Sequence, residues 1–133
     1  MNYQELKAKH RKSIDEFPIR FAFSDSQLQE VLEEWQVDKD ELCGIGGGGI
    51  VRKDDGKAWV KLMVDMAKEQ EEAQKDDEFL TAALEYELAN HEYGYTYDST
   101  STLESLGLEF DSLTDREMAC LTEAKSRFFA ANC

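Results

Sequence analysis

Apolar residues in the first 35 positions predict two helices joined by a short strand. Residues 2–16 are mostly polar, and Pro18 ends this helix because proline disfavours helical geometry at the residue before it. Residues 19–23 alternate large apolar residues with others, which predicts a strand with one buried face. Ser24 and Gln27 then match a capping box, ahead of apolar residues at helical spacing. The expected packing residues of the two helices are Tyr3, Leu6, Ile14, Phe17, Leu28, Val31, Leu32 and Trp35.

Four consecutive glycines, Gly46–Gly49, interrupt the helical pattern. A helix there would carry a large conformational-entropy cost, so we expect a loop or turn between short extended pieces. Residues 50–53 are expected to form a strand antiparallel to residues 19–23. A phosphate-binding loop is disfavoured, because the run lacks a Lys-Ser or Lys-Thr pair and a helix directly after it. The glycines are instead expected to allow a sharp turn or a close approach to another surface, with Arg52 and Lys53 exposed beside them.

The second half of the chain predicts four further helices. Their expected extents are residues 57–74, a helix capped by Asp76 or Asp77 and running to Asn90, a short helix over residues 102–106 that Gly107 ends, and a last helix from Thr114. Capping boxes begin the last two, Ser101–Glu104 and Thr114–Glu117. The last helix is expected to turn Met118, Leu121, Phe128 and Phe129 inward. Together these elements predict one mostly helical α+β domain over residues 1–133, with a small two- or three-stranded antiparallel sheet.

Length and composition narrow the class of protein. A chain of 133 residues with 41% hydrophobic content can build one core. The net charge of −14 excludes a general nucleic-acid binder, which needs a basic face. No apolar run is long enough to cross a bilayer and no signal core is evident, so a soluble, cytoplasmic protein is expected. Cys43, Cys120 and Cys133 suggest neither a disulfide framework nor a thiolate zinc site, and a reducing compartment fits them best.

The negative charge is concentrated in residues 76–111, which hold ten acidic residues and no Lys or Arg. Such a stretch cannot neutralise itself through local ion pairs, so its carboxylates must be solvated or face something basic. One interpretation is that the charge only keeps the protein in solution. Another is that carboxylates occupy a positively charged groove that normally holds nucleic acid. Divalent-metal binding is a third, although no segment matches an EF-hand loop.

Residues 90–98 form the most distinctive segment, with one histidine, two acids and three tyrosines. His91, Glu92 and Asp98 could bind a metal or act as a general base. The sequence lacks the spacing of a known zinc site, which favours a structural turn instead. In that interpretation the alternating tyrosines pack on one side of an extended piece, or contact another protein. These tyrosines are Tyr93, Tyr95 and Tyr97.

Four segments carry a resemblance to a known group of proteins. They are FAFSDSQLQEVLEEW, ELCGIGGGGIVRKDD, DDEFLTAALEYELANHEYGYTYD and TLESLGL, in order between about residues 17 and 110. On these segments the chain resembles an uncharacterised family of small acidic proteins of phages and mobile elements of gut bacteria. The resemblance implies a genomic context and supplies no catalytic residues. By size and charge alone, such proteins resemble inhibitors of host nucleases.

These observations predict an acidic, non-enzymatic binding protein of a phage or mobile element, acting in the cytoplasm of a bacterial host without a cofactor. Its expected partner is a basic nucleic-acid-handling defence protein, such as a CRISPR effector or another nuclease, inhibited in the manner of an anti-CRISPR or DNA mimic. No direct contact with nucleic acid or membrane is expected. The alternatives are a small metal-dependent enzyme centred on His91, Glu92 and Asp98, and a phage regulatory protein. The predicted contact face lies in residues 76–111, with residues 25–41 as a second candidate region. The predicted contact residues are Asp76, Asp77, Glu78, Glu85, Glu87, Glu92, Tyr93, Tyr95, Tyr97 and Asp98.

Overall fold

The computed structural model describes residues 1–132, which form helices and one small sheet. The α-helices are α1 (Tyr3–Glu16), α2 (Asp25–Trp35), α3 (Gly56–Ala73), α4 (Asp77–Asn90), α5 (Tyr93–Thr96), α6 (Thr100–Ser105) and α7 (Asp115–Asn132). The strands are β1 (Arg20–Phe21), β2 (Leu42–Gly46) and β3 (Gly49–Arg52). Three short 3₁₀ turns lie at Lys39–Glu41, Lys53–Asp55 and Phe110–Ser112. The mostly helical α+β class with a small antiparallel sheet is confirmed.

The chain divides into two compact units. Unit 1 contains residues 1–8 and 69–133, and unit 2 contains residues 9–68. Helices α1 and α3 each contribute residues to both units. The expectation of one domain over the whole chain stays a prediction. Within the described residues 1–132, no helix is long and apolar enough to cross a membrane.

The core of unit 1 is built around α4. Its side chains Ala83, Leu84 and Leu88 are fully buried. Asp76 caps the helix as expected, because its carboxylate accepts the Phe79 N–H at 2.8 Å. Helix α7 packs along α4. It buries Leu121 and Phe128, two of the four residues that were expected to face inward. The core residues of unit 1 are Tyr3, Leu6, Phe79, Leu80, Ala83, Leu84, Leu88, Tyr93, Leu103, Leu106, Cys120, Leu121, Ala124 and Phe128, with Phe129 partly buried against them. Met118 was expected to face inward, but it is 36% exposed.

The capping predictions in unit 1 have mixed outcomes. The box at Thr114 and Glu117 is confirmed: the Glu117 N–H donates to the Thr114 hydroxyl at 3.1 Å, and the Thr114 N–H donates to the Glu117 carboxylate at 2.9 Å. The box at Ser101–Glu104 is wrong. Helix α6 begins at Thr100, so Ser101 and Glu104 both lie inside the helix. The Asp98 carboxylate accepts the Thr100 N–H at 2.9 Å just before it.

The sheet of unit 2 has the order β1–β3–β2, and both pairings are antiparallel. The pairing of β1 with β3 confirms the strand predicted after the glycines, shifted by one residue. Strand β1 is shorter than predicted, and its expected buried face is wrong because Phe21 and Phe23 are 58% and 73% exposed. Their rings stack on each other at the sheet edge, 6.4 Å apart, and are not covered by a second layer.

The glycine run forms the turn of the β2–β3 hairpin. Gly47 and Gly48 both have positive φ, the conformation that two-residue hairpin turns of this type require. Gly48 also lies against the Phe23 ring: a Cβ built there would be 2.4 Å from a ring carbon. Both expected uses of the run, a sharp turn and a close approach, are therefore present. Arg52 is only half-exposed, because its guanidinium lies over the Trp35 ring at 4.3 Å.

Replacing Gly48 with alanine is expected to lower the free energy of unfolding more than replacing Gly47. Both substitutions force alanine into the left-handed region, at a cost of about 1 kcal/mol. Only at Gly48 does the new Cβ meet another group, whereas at Gly47 it meets open space. We expect about 1 kcal/mol of additional loss at Gly48, measured by urea denaturation. In a Phe23→Ala background the difference between the two substitutions should shrink by about 1 kcal/mol. A difference that is unchanged without the ring would contradict the assigned contact.

Candidate binding surface

Unit 1 neutralises three of its clustered carboxylates with its own basic side chains. Arg116 of α7 pairs with Asp77, and Arg127 of α7 donates to both carboxylate oxygens of Glu78 at 2.9 and 3.2 Å. The Arg127 hydrogen bonds lower the pKa of Glu78. Residues 76–111 contain no Lys or Arg, but α7 packs along α4 and places Arg116 and Arg127 beside these carboxylates. Predicted contact residues Asp77 and Glu78 are exposed but already paired.

Glu87 is the third of these carboxylates, and it lies in the core with 1% of its surface exposed. It accepts hydrogen bonds from the Tyr3 hydroxyl at 2.6 Å, the Lys7 ammonium at 3.0 Å and the Asn90 amide at 3.2 Å. The His91 Nε2 atom lies 3.1 Å from Oε2 of Glu87, the oxygen that also accepts the Asn90 amide. Because it is buried, Glu87 is unavailable to a partner, which corrects its place among the predicted contact residues.

Burial and hydrogen bonding together set the protonation states of Glu87 and Tyr3. Burial raises the pKa of Glu87, but the hydrogen bonds from Tyr3, Lys7 and Asn90 and the charge of Lys7 outweigh it, so the pKa is lowered overall. Burial, followed by the hydrogen bond to the Glu87 carboxylate, raises the pKa of Tyr3 far above its usual value. Glu87 is therefore an ionised acceptor and Tyr3 a neutral donor at neutral pH.

The tyrosine segment is helical, which corrects the expected extended piece. Residues Glu92 and Tyr97 have φ of 56° and 53°, and the single turn α5 lies between them. One helical turn places residues four apart on the same side, so Tyr93 and Tyr97 meet edge to face with ring centroids 6.0 Å apart. Tyr93 is buried and cannot contact a partner, whereas Tyr95 and Tyr97 are 87% and 70% exposed.

The three residues of the enzyme alternative have separate surroundings. His91 lies beside Glu87, the Asp98 carboxylate accepts the Thr100 N–H, and Glu92 is exposed to solvent. Across residues 1–132, no group of three or more His, Cys, Asp or Glu side chains is placed to hold a metal ion. Cys43 is exposed and Cys120 is buried, both as free thiols, and Cys133 lies outside the described residues.

Seven of the ten carboxylates in residues 76–111 have no ion pair with a basic side chain in the part of the chain that the structure describes. We call these seven the acidic surface: Asp76, Glu85, Glu92, Asp98, Glu104, Glu109 and Asp111. All are exposed except Glu85, which is half-buried. Asp76 and Asp98 are held in place by backbone N–H groups. Four predicted contact residues, Asp76, Glu85, Glu92 and Asp98, belong to this surface.

The excess of negative charge belongs to unit 1. Unit 1 has 17 acidic and five basic residues, and unit 2 has 12 acidic and ten basic residues. Each of the five bases of unit 1 is engaged within the unit. Lys7, Arg116 and Arg127 form the pairs described above, Lys75 pairs with Glu72 at 2.8 Å, and the Lys125 ammonium lies 5.4 Å from the centroid of the Tyr93 ring. Unit 1 therefore has a net negative charge, and each of its Lys and Arg side chains contacts a carboxylate or an aromatic ring of the same unit.

An aromatic cavity of about 350 Å³ opens beside α5 in unit 1. It is lined by Ala89, Glu92, Gly94, Tyr95, Tyr97, Phe128, Phe129 and Asn132. The sequence identified the tyrosines and Glu92 as candidates, but it gave no signal that α7 would bring two phenylalanines beside them. Phe128 and Phe129 are about 30 residues away along the chain, so only the packing of α7 against α4 and α5 reveals the cavity.

Comparison with protein families matches residues 2–124 to DUF7659, a family of unknown function. The chain belongs to the DUF7659 family. The match extends from the start of α1 into α7 and includes every carboxylate of the acidic surface. No curated protein and no solved structure matches the chain. Membership of a family of unknown function is thus confirmed.

Glu87→Gln is expected to lower the free energy of unfolding by about 2 kcal/mol. The amide keeps the size of the side chain but removes the charge that faces Lys7, and leaves donors crowded around an uncharged group. Glu85→Gln, two residues away on the same helix, is the control and should change stability by less than about 0.5 kcal/mol. Urea denaturation measures both. Equal effects at the two positions would contradict the structural role of Glu87.

The stability that Glu87 confers is expected to depend on pH. Because its pKa in the folded protein is lowered from the usual 4.5, the contribution is present above about pH 4.5 and is lost as the pH falls through the folded-state pKa. The difference in unfolding free energy between the wild type and Glu87→Gln should therefore shrink as the pH falls below about 4.5. Other carboxylates with lowered pKa values are present in both proteins and cancel. A difference that grows as the pH falls below about 4.5 would contradict the assignment.

Proposed function

We propose that this protein is a non-enzymatic binding protein whose acidic surface engages a basic partner protein. The observation that carries the proposal is the separation of charge: unit 1 holds 17 acidic against five basic residues, and all five bases are engaged internally. A solvated surface of this kind produces a strong negative field. Such a field attracts a positively charged protein and accelerates the encounter, with a steep dependence on salt.

Part of the acidic surface is held in fixed positions. The carboxylates of Asp76 and Asp98 each accept a backbone N–H, and Glu85 is half-buried on a helix anchored in the core. Fixed carboxylates lose less conformational entropy on binding than freely rotating ones. This supports recognition of a matching set of basic side chains in addition to a general effect on solubility.

We propose a nucleic-acid-handling protein as the partner, because its Lys and Arg side chains are arranged to bind repeated negative charges. Carboxylates of the acidic surface would then occupy the positions of phosphates and exclude the nucleic acid. Exposed Tyr95 and Tyr97 would add an apolar contact of the kind enriched at protein interfaces. The resemblance to small acidic phage and mobile-element proteins supports a host defence nuclease, including a CRISPR effector, as the target.

Reversing the charge at two positions of the acidic surface tests the proposal. Glu85→Lys/Glu104→Lys is expected to abolish capture of the partner when the tagged protein is purified from expressing bacteria at low salt. The matched control is Asp15→Lys/Asp54→Lys in unit 2, which changes the net charge equally at exposed positions outside both predicted contact regions. The control should retain capture of the same protein, identified by mass spectrometry, and raised salt should release it.

The captured protein must also lose nucleic acid when this protein binds. Fluorescence anisotropy of labelled DNA or RNA on the purified partner should fall on addition of the wild type, and not on addition of Glu85→Lys/Glu104→Lys. Partner capture that is equal for the wild type and both double variants would contradict a role for the acidic surface. Simultaneous binding of nucleic acid and this protein would contradict mimicry.

A further inference from the structure

We infer that the aromatic cavity of unit 1 binds the side-chain ammonium group of a lysine presented by the basic partner. The cavity joins three chemical features that suit an organic cation: the exposed rings of Tyr95 and Tyr97, one buried and one partly buried phenylalanine ring, and the Glu92 carboxylate, the single charged group among the described lining residues. Its volume of about 350 Å³ lies in the range of small-molecule and side-chain sites. The inference rests on the proposed function only for the protein source of the lysine.

Aromatic faces carry negative electrostatic potential, so a cation gains energy when it sits within about 6 Å of a ring centroid. Tyr97 and Phe129 stand nearly parallel with centroids 6.4 Å apart, and both line the cavity. Neither Tyr95 nor Tyr97 is covered by the protein. The rings are therefore accessible to a group that enters from solvent.

The same aromatic cluster already holds one ammonium group. The ring of Tyr93 contacts Tyr97, Phe128 and Phe129, and the Lys125 ammonium lies 5.4 Å from the Tyr93 centroid. Lys125 does not line the cavity. Unit 1 thus contains an example of the proposed contact on Tyr93, and among the residues that the structure describes no Lys or Arg lines the cavity.

Glu92 discriminates against other occupants. A neutral apolar ligand would remove water from a carboxylate without compensating its charge, and an anion would be repelled by Glu92 and by the acidic surface to which it belongs. A lysine side chain offers an apolar stem for the rings and a charge for Glu92. Arginine offers the same two features, so tighter binding of N-acetyl-arginine methylamide than of the corresponding lysine analogue would overturn the assignment to lysine.

Titration with two small probes tests the inference. N-acetyl-lysine methylamide carries the proposed group, and N-acetyl-norleucine methylamide is an uncharged analogue with a similar stem. NMR chemical shifts of the wild-type protein should saturate with a dissociation constant in the millimolar range for the lysine probe. The norleucine probe should bind at least about fivefold more weakly. Equal binding of the two probes, or no saturable binding of the lysine probe, would overturn the inference.

Variants locate the binding. Tyr95→Leu removes a ring that is 87% exposed and is not needed for the core, and Glu92→Gln removes only the charge. Each should weaken the lysine probe by about fivefold. Phe110→Leu is the matched control, because it removes an exposed ring of unit 1 that does not line the cavity. Loss of binding in Phe110→Leu, or its retention in both cavity variants, would overturn the site.

The probe experiment is separable from the test of the proposed function. In about 0.5 M sodium chloride the long-range field of the acidic surface is largely screened, and short contacts in the cavity are affected less. Glu85→Lys/Glu104→Lys leaves all lining residues intact and should bind the lysine probe as the wild type does. Failure of partner capture with normal probe binding would therefore count against the proposed function alone, and absent probe binding would count against the cavity alone.

Discussion

The structure of unit 1 depends on one buried carboxylate, that of Glu87. A carboxylate in a core is costly unless it is paired and fully hydrogen-bonded, so the groups that satisfy it become fixed in turn. Glu87 also lies in the last turn of α4, where the helix dipole disfavours an acid, and Lys7 of α1 offsets that effect. Its backbone carbonyl accepts the Thr102 hydroxyl at 3.2 Å, which connects α6 to the same residue. Hydrogen bonds to Glu87 thus connect the start of α1, the end of α4 and α6.

The way Glu87 is satisfied changes the charge available at the surface. Lys7 forms an ion pair with Glu87 near the end of α4. Arg116 and Arg127 form ion pairs with Asp77 and Glu78 at its start. Each pair stabilises packing of α4 against a neighbouring helix, and each removes one base from competition for the remaining acids. Internal stability and an uncompensated negative exterior therefore have the same origin, because unit 1 has too few bases for both.

Local signals were sufficient to predict most of the helices. The Asp76 cap and the box at Thr114 depend on residues within one turn of each other, so they were visible in the sequence. Helical spacing also contained the position of Glu87, which lies three residues after Leu84 and seven after Leu80, on the buried face of α4. The sequence alone did not assign Glu87 to the core, because its side chain is charged and Lys7, the base that pairs with it, is 80 residues away. The exposed face of β1 and the helical turn of the tyrosines were missed for a related reason: both depend on what packs nearby, and periodicity does not specify that.

Glu92 belongs both to the acidic surface and to the aromatic cavity, and this overlap suggests how the two act together. Long-range charge brings a basic protein to unit 1 but distinguishes poorly among basic proteins, because any positive patch responds to the same field. A cavity with rings and a single carboxylate responds to the position of one lysine, since its energy falls off within a few ångströms. The acidic surface would then set the rate and salt dependence of association, and the cavity would select among partners. In this arrangement a partner's lysine supplies the cation that unit 1, with every base already engaged, cannot provide for Glu92 itself.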